Sequence, residues 1–241
     1  MTDNLIFSGS EHNWKLRLLA EHYNYKYSEV KSFSLPAGYT CPAAKDCILK
    51  ADQHTGKIID GDNIKFRCYA ASMESIYPNI RKMVWNNYSI LQSGNIYTAI
   101  ANSLPEQAKI IRLHVSGDFY SRDYFLAWVK IATNNPNITF YGYSKRVDLF
   151  VRYSNLIPSN FRFTMSLGGL YDTLALQTGL PVCEVVYSPN NTLLPVAKNE
   201  NLAILGGKSF ALLIHGTQPI RINKLARLAN PDYIMNRISK G

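Results

Sequence analysis

The regular alternation of short apolar runs with amphipathic stretches constrains this chain more than any other feature. Ile110–Val115 is a compact apolar run broken by Arg112 and His114, and it leads into Ser116-Gly117-Asp118. Ser121 then caps an amphipathic stretch, Arg122–Asn134, with Phe125, Trp128, Val129 and Ala132 on one helical face. The pattern repeats through a strand at Thr139–Tyr143, a short helix at Val147–Asn155, a strand at Phe161–Leu167 and a short helix at Tyr171–Thr178. Val182–Tyr187 and Ser209–Ile214 read as two further strands joined by a connection. Upstream, Asn13–Ala20 reads as a short helix and Tyr25–Leu35 as a first strand, stopped by Pro36 and Gly38. Tyr69–Ser93 has helical spacing with a break at Pro78, and Asn95–Leu104 forms a second helix before Pro105. Parallel strands need long crossovers, so about six strands alternating with helices predict a parallel sheet. The expectation is one α/β domain over residues 1–241, a partial (βα)6 TIM-barrel-like wall with a cysteine-containing loop after the first strand.

That loop holds the densest chemistry. Three of the four cysteines lie in it: Cys41, Cys47 and Cys68, with Cys183 far along the chain. Between Cys47 and Cys68, the segment KADQHTGKIIDGDN reads as a small hairpin, with turns at Thr55-Gly56 and Asp60-Gly61. No basic stretch followed by an apolar run opens the sequence, so the expected location is cytoplasmic. No apolar run is long enough to span a bilayer, so no membrane partner is expected. In a reducing compartment cysteines serve as metal ligands or core residues more than as disulfides. The spacing contains no CxxC and does not read as a zinc ribbon. Soft thiolates suit an iron–sulfur cluster or, alternatively, zinc. The expected metal-binding loop spans residues 41–68, with Cys183 as a fourth ligand brought to the same end by the fold.

In parallel α/β folds ligands bind beyond the carboxyl ends of the strands. Those ends here are polar or glycine-rich. His114, Ser116, Gly117 and Asp118 follow one strand, Lys145 and Arg146 the next, Ser166, Gly168 and Gly169 a third, and His215 the last. Asp118, His114 and Lys145 are the expected catalytic groups. Ser116, Gly117, Arg146, Ser166, Gly168, Gly169 and His215 are expected to bind substrate. Lys145 and Arg146 can hold a phosphate or carboxylate, and the glycines let a flat ring approach the backbone.

The formal charge of +9, with 16 tyrosines among the cations, predicts a polyanionic partner, nucleic acid first. A basic helical tail is expected over residues 221–241, its helix at Asn223–Ile238 and its cations Arg221, Lys224, Arg227, Arg237 and Lys240.

The segments SLPAGYTCPAAKDC, RCYAA, RLHVSGDFYSRDYFLAW and FYGYSKR resemble the phage gene-product-eighty-eight family of uncharacterised proteins, over roughly residues 32–170. In outline the layout also resembles the radical S-adenosylmethionine (SAM) enzymes. That resemblance implies a cluster-binding cysteine loop after the first strand of a six-stranded partial barrel, and SAM as cosubstrate. Ser116-Gly117-Asp118 would occupy the place of the glycine-rich acidic motif that holds the cosubstrate's amino group, although the close CxxxCxxC spacing is absent here. A weaker likeness is to tRNA-guanine transglycosylases and their phage DNA-modifying relatives. It implies base exchange, with Asp118 as the acidic residue and Gly168-Gly169-Leu170 as the base-recognition turn. These likenesses lead to the expectation of a cysteine-ligated metalloenzyme modifying a nucleic acid or a nucleotide-derived base. The other expectation is a non-catalytic protein stapled by zinc that binds nucleic acid or a host factor.

Overall fold

The computed structural model describes residues 4–11, 13–62 and 64–230. A short edge strand β1 (Ser8–Gly9) precedes helix α1 (Trp14–His22) and strand β2 (Val30–Phe33). Asn13 caps α1, its side chain accepting from the amides of Lys15 and Leu16. A two-stranded hairpin, β3 (Leu49–Ala51) and β4 (Ile58–Asp60), fills the excursion between Cys47 and Cys68, as its turn formers predict. Three helices follow: α2 (Tyr69–Ile76), α3 (Pro78–Ser93) and α4 (Ile96–Ser103). Pro78 divides the first two and opens the second, where its missing amide costs nothing. The repeating part runs β5 (Ile110–Leu113), α5 (Arg122–Asn134), β6 (Thr139–Ser144), α6 (Val147–Arg152), β7 (Phe161–Ser166), α7 (Asp172–Gln177) and β8 (Val182–Val186). Helix α8 (Glu200–Leu205), strand β9 (Phe210–Leu213) and helix α9 (Ile220–Ala229) complete the described chain.

The sheet has seven strands in the order β1-β2-β5-β6-β7-β8-β9. Only β1 is antiparallel; every neighbouring pair from β2 to β9 is parallel and in chain order. Sequential parallel order is what a barrel wall requires, but among the described residues no pairing joins β9 to β1 or β2. The expected barrel therefore stands only at the coarser level of a mixed α/β fold with a mostly parallel seven-stranded sheet. The connection expected between β8 and β9 contains α8. The tail helix begins earlier than expected, at Ile220, and ends at Ala229; the rest of the expected helical tail, with Arg237 and Lys240, lies outside the described residues.

Period-two alternation divides the sheet residues between two cores. Ile111, Leu113, Phe140 and Phe163 face a large aromatic-rich core with Phe119, Phe125, Trp128 and Phe150. Ile110, Tyr141, Cys183 and Phe210 face the other side, closed by Leu16 and Leu19 of α1 and Ile204 and Leu205 of α8. All four residues of β5 are buried, as expected of a strand covered on both faces. Arg112 is the exception in kind. It lies on the α1–α8 face, donating to Glu200 Oε1 at 3.1 Å and Asn201 Oδ1 at 3.0 Å.

Candidate metal and substrate site at the strand ends

The chain after β2 turns back over the sheet and is pinned to the tips of other strands. Leu35 donates its amide to Ser116 O at 2.9 Å, and the Ser116 hydroxyl reaches Leu35 O at 2.6 Å. Gly38, at φ +73°, makes the first turn and donates its amide to Cys41 Sγ at 3.3 Å. Farther on, Lys45 and Asp46 donate their amides to Gly168 O, and Leu170 donates to Ala43 O. The second half of the loop is anchored equally well. Lys65 donates its amide to Asp46 O, Tyr187 its hydroxyl to Lys65 O, and Gln218 bonds both the amide and the carbonyl of Arg67. Backbone pairing thus ties both cysteine-bearing segments to the ends of β5, β7, β8 and β9.

The result places three thiols at the same end of the sheet. Cys41, Cys47 and Cys68 are free and half-buried. Burial pushes the Cys41 thiol well up, and Asp118, Cys68 and Cys47 push it further. Burial likewise raises Cys68, to about 11, with Cys47 adding to the effect. Burial raises Cys47 too, against the opposing pull of the Lys145 ammonium. Each thiol therefore lies within electrostatic reach of another, and a cation stands beside one of them. Cys68 stands at the N-cap position of α2, with no side-chain hydrogen bond to the helix amides. The donor set fits a thiolate-bound metal in kind: three soft ligands, one of them, Cys41, already accepting an N–H bond from a neighbouring amide. Among the described residues, no group of three or more His, Cys, Asp or Glu side chains is arranged to hold a metal ion as it stands. Cys183 lies elsewhere, in the α1–α8 core, its thiol pushed up to about 12 by burial and then by Glu200.

Most of the polar strand-end residues join strand tips to one another. Asp118 is buried and accepts from the Phe119 amide at 2.7 Å, the Ser144 hydroxyl at 2.7 Å and the Lys145 amide at 2.8 Å. Burial raises its carboxyl, and those three donors oppose the rise. Lys145 donates from Nζ to Ser166 O at 3.0 Å, to Ser166 Oγ at 2.9 Å and to Leu167 O. Arg146 forms a two-pronged pair with Asp148 and donates to Phe119 O at 2.8 Å. Gly168 and Gly169 give their amides to the Asp172 carboxylate, each at 2.9 Å. Their close neighbours are the cysteine loop itself: a Cβ on Gly169 would lie 2.8 Å from Ala43 O. Gly117, at φ +87°, admits Thr40 in the same way. His114 has positive φ, sits buried beside the Tyr124 hydroxyl at 3.0 Å, and is held neutral because burial lowers it to about 3. His215 lies at the rim, its ring 5.7 Å from that of Tyr69.

Two buried carboxylates escape sequence reasoning. Glu74 of α2 is fully buried under the loop, with Oε1 accepting from the Ala37 amide at 2.9 Å and contacting the Ser116 hydroxyl at 2.5 Å. Glu200 balances Arg112 and Lys15. The signal for Glu200 was Arg112, since a guanidinium inside a strand buried on both faces requires a buried counter-charge. Glu74 left none, because one acidic residue in a helical pattern reads as a solvated position.

Among the described residues no helix is long and apolar enough to cross a membrane. A family model described as gene product 88 matches residues 8–219. The chain is similar to the gene 88 protein of Mycobacterium phage L5, 23% identical over 156 residues, covering 54% of this chain and 59% of that protein. It is also similar to the gene 88 protein of Mycobacterium phage D29, 21% identical over 130 residues and 48% of each chain. The chain thus spans about half the length of the curated relatives it matches. No solved structure matches.

Proposed function

The chain belongs to the gene product 88 family, and we propose that it is a cysteine-ligated metalloenzyme, of the iron–sulfur kind, acting on a nucleic acid or a nucleotide-derived base. One observation carries the reading: Cys41, Cys47 and Cys68, free thiols from two separate segments, lie on a loop that hydrogen bonds tie to the tips of the parallel strands. Nothing in local structure demands that three half-buried thiols be placed on one loop at the same end of the sheet. A metal that takes them as thiolates supplies the reason.

Cys41, Cys47 and Cys68 would hold the cluster, and Cys183, seated in the opposite core, is left out of the set. A cluster held by three protein thiolates keeps one iron open to a small-molecule ligand such as SAM, and when bound it supplies one-electron chemistry. The chain's own residues set up the surroundings. The Lys145 ammonium offsets negative charge at Cys47. Asp118, through Ser144 and the Lys145 amide, fixes the separation of the β5 and β6 tips and so the floor of the site. His215 and the partly exposed Tyr69 present a ring pair at the rim against which a base can lie. The excess of cations supports a nucleic-acid substrate.

The test is to incubate anaerobically purified protein with single- and double-stranded nucleic acid, with and without SAM and a reductant. Digestion and mass spectrometry of the nucleosides then reads out the product. A nucleoside of altered mass that disappears in Cys68→Ser supports the proposal. Unaltered nucleosides from a protein loaded with iron and sulfide would count against an activity on nucleic acid.

A further inference from the structure

The surface on the far side of the α1–α8 core carries a groove that the thiol site does not use. It runs between α1 and the segment leading into α8, lined by Trp14, Lys15, Leu18, Lys198, Glu200 and Leu212. Trp14 is 65% exposed, whereas Trp128 is fully buried. An indole left in water stabilises the fold little, and its flat face is the residue type best suited to a stacked ring. Leu18, 44% exposed, extends the apolar strip one turn along the helix.

Cations outnumber anions around this strip. Glu200 is the carboxylate of the groove, and it is countered twice, by Lys15 at 3.0 Å and Arg112 at 3.1 Å. Lys198, exposed on the opposite wall, faces the same strip. Lys15 Nζ also stands over one face of the Trp14 ring, 6.0 Å from its centroid, leaving the other face to a stacked base. Farther along, Arg17 lies over the Tyr27 ring at 5.3 Å, and Tyr23 and Tyr25 stack at 5.9 Å at the helix end. The carboxylates on this stretch are engaged by neighbours, Glu21 by the Tyr27 hydroxyl and Glu29 by the Lys26 amide. Cations interleaved with exposed rings form a surface that takes phosphates and unpaired bases together.

We infer that this groove is a docking track for single-stranded nucleic acid, with a base stacked on Trp14 and phosphates met by Lys15 and Lys198. A duplex keeps its base faces inside the stack, so it gains the lysines but not the indole. An acidic peptide gains the lysines as well but offers no flat ring. The track lies apart from the cysteine loop. It shares with the proposed function only the choice of nucleic acid as partner.

The experiment is fluorescence anisotropy with a labelled single-stranded oligonucleotide, its duplex and polyglutamate, over a series of salt concentrations. The intact protein should bind the single strand more tightly than the duplex, with affinity falling as salt rises. Trp14→Ala should weaken single-strand binding about tenfold and leave duplex binding unchanged, and Trp14→Phe should restore most of the loss. Lys198→Gln should weaken both and lower the salt slope by about one. Because Trp14 is largely exposed, Trp14→Ala should melt at the same temperature as the parent. Unchanged single-strand binding in Trp14→Ala, an equal loss for the duplex, or polyglutamate binding with the same dependence on Trp14 would overturn the inference. Measuring Cys41→Ser alongside separates this site from the metal: binding should survive there even where iron is lost.

Discussion

Replacing Glu200 by glutamine tests the buried charge network behind the sheet. Arg112 and Glu200 are about 9% and 8% exposed at their side chains, so water screens the pair little. Burial by itself would raise the Glu200 carboxyl, but Arg112 and then Lys15 outweigh it and hold the group at about 2, from an ordinary 4.5. That difference corresponds to about 3 kcal/mol of stability at neutral pH. The sign follows from the direction. A carboxyl lowered on folding contributes fully above its unfolded value and loses that contribution as pH falls toward its folded one. About 2 kcal/mol of it should be gone by pH 3. Glu200→Gln keeps the side chain's shape but leaves the Arg112 guanidinium without a counter-ion, so we expect a loss of about 3–5 kcal/mol at pH 7. Urea unfolding followed by tryptophan fluorescence, with parent and variant compared at each pH, measures the gap directly. Other titrating groups, His114 among them, largely cancel in that comparison. The gap should narrow by about 2 kcal/mol between pH 7 and pH 3. A gap below about 1 kcal/mol at pH 7, or one that stays constant with pH, would refute the reasoning.

Three further outcomes follow from the same geometry. Gly117→Ala places a Cβ 2.6 Å from Thr40 Oγ1 and 2.8 Å from Leu35 Cβ at φ +87°. It should cost about 2–4 kcal/mol in urea unfolding and loosen the cysteine loop. Trp128→Ala empties the centre of the aromatic core and should cost about 3–5 kcal/mol, read as a lower melting temperature. In folded, metal-free protein, a thiol reagent should modify the half-buried Cys41, Cys47 and Cys68 and spare Cys183 until denaturant is added, as peptide mass mapping will show.

The repeating strands and helices were legible because their signals are local. Helix α5 matches its expected span, Arg122–Asn134, since Ser121 supplies a cap and the apolar residues keep helical spacing. The break at Pro78 and the hairpin between Cys47 and Cys68 were legible for the same reason. Helix α8 was not, because its six residues are placed by docking against α1 and Arg112 rather than by periodicity of their own. Strand β1, two residues long, has no pattern to read. At the site, the gathering of the two cysteine segments at one end of the sheet follows from where the first strand stops. The work done by the polar tips was hidden. Asp118, Lys145 and Arg146 look in sequence like groups waiting for a ligand; the partners of the first two, Ser144 and Ser166, are set by strand register, whereas Arg146 pairs with Asp148 two residues on. Cys183 was expected with the other thiols from its place at a strand; side-chain alternation along β8 turns it toward the α1–α8 core.

The central claim is that three thiols, and not four, take up a metal cluster at the strand tips. Iron and acid-labile sulfide per chain, measured on anaerobically reconstituted parent and on each single Cys→Ser variant, tests it most directly. The account predicts iron and sulfide in matching amounts in the parent and in Cys183→Ser, and their loss in Cys41→Ser, Cys47→Ser and Cys68→Ser. Equal metal content in all four variants, or a parent that binds zinc and takes up no sulfide, would contradict it.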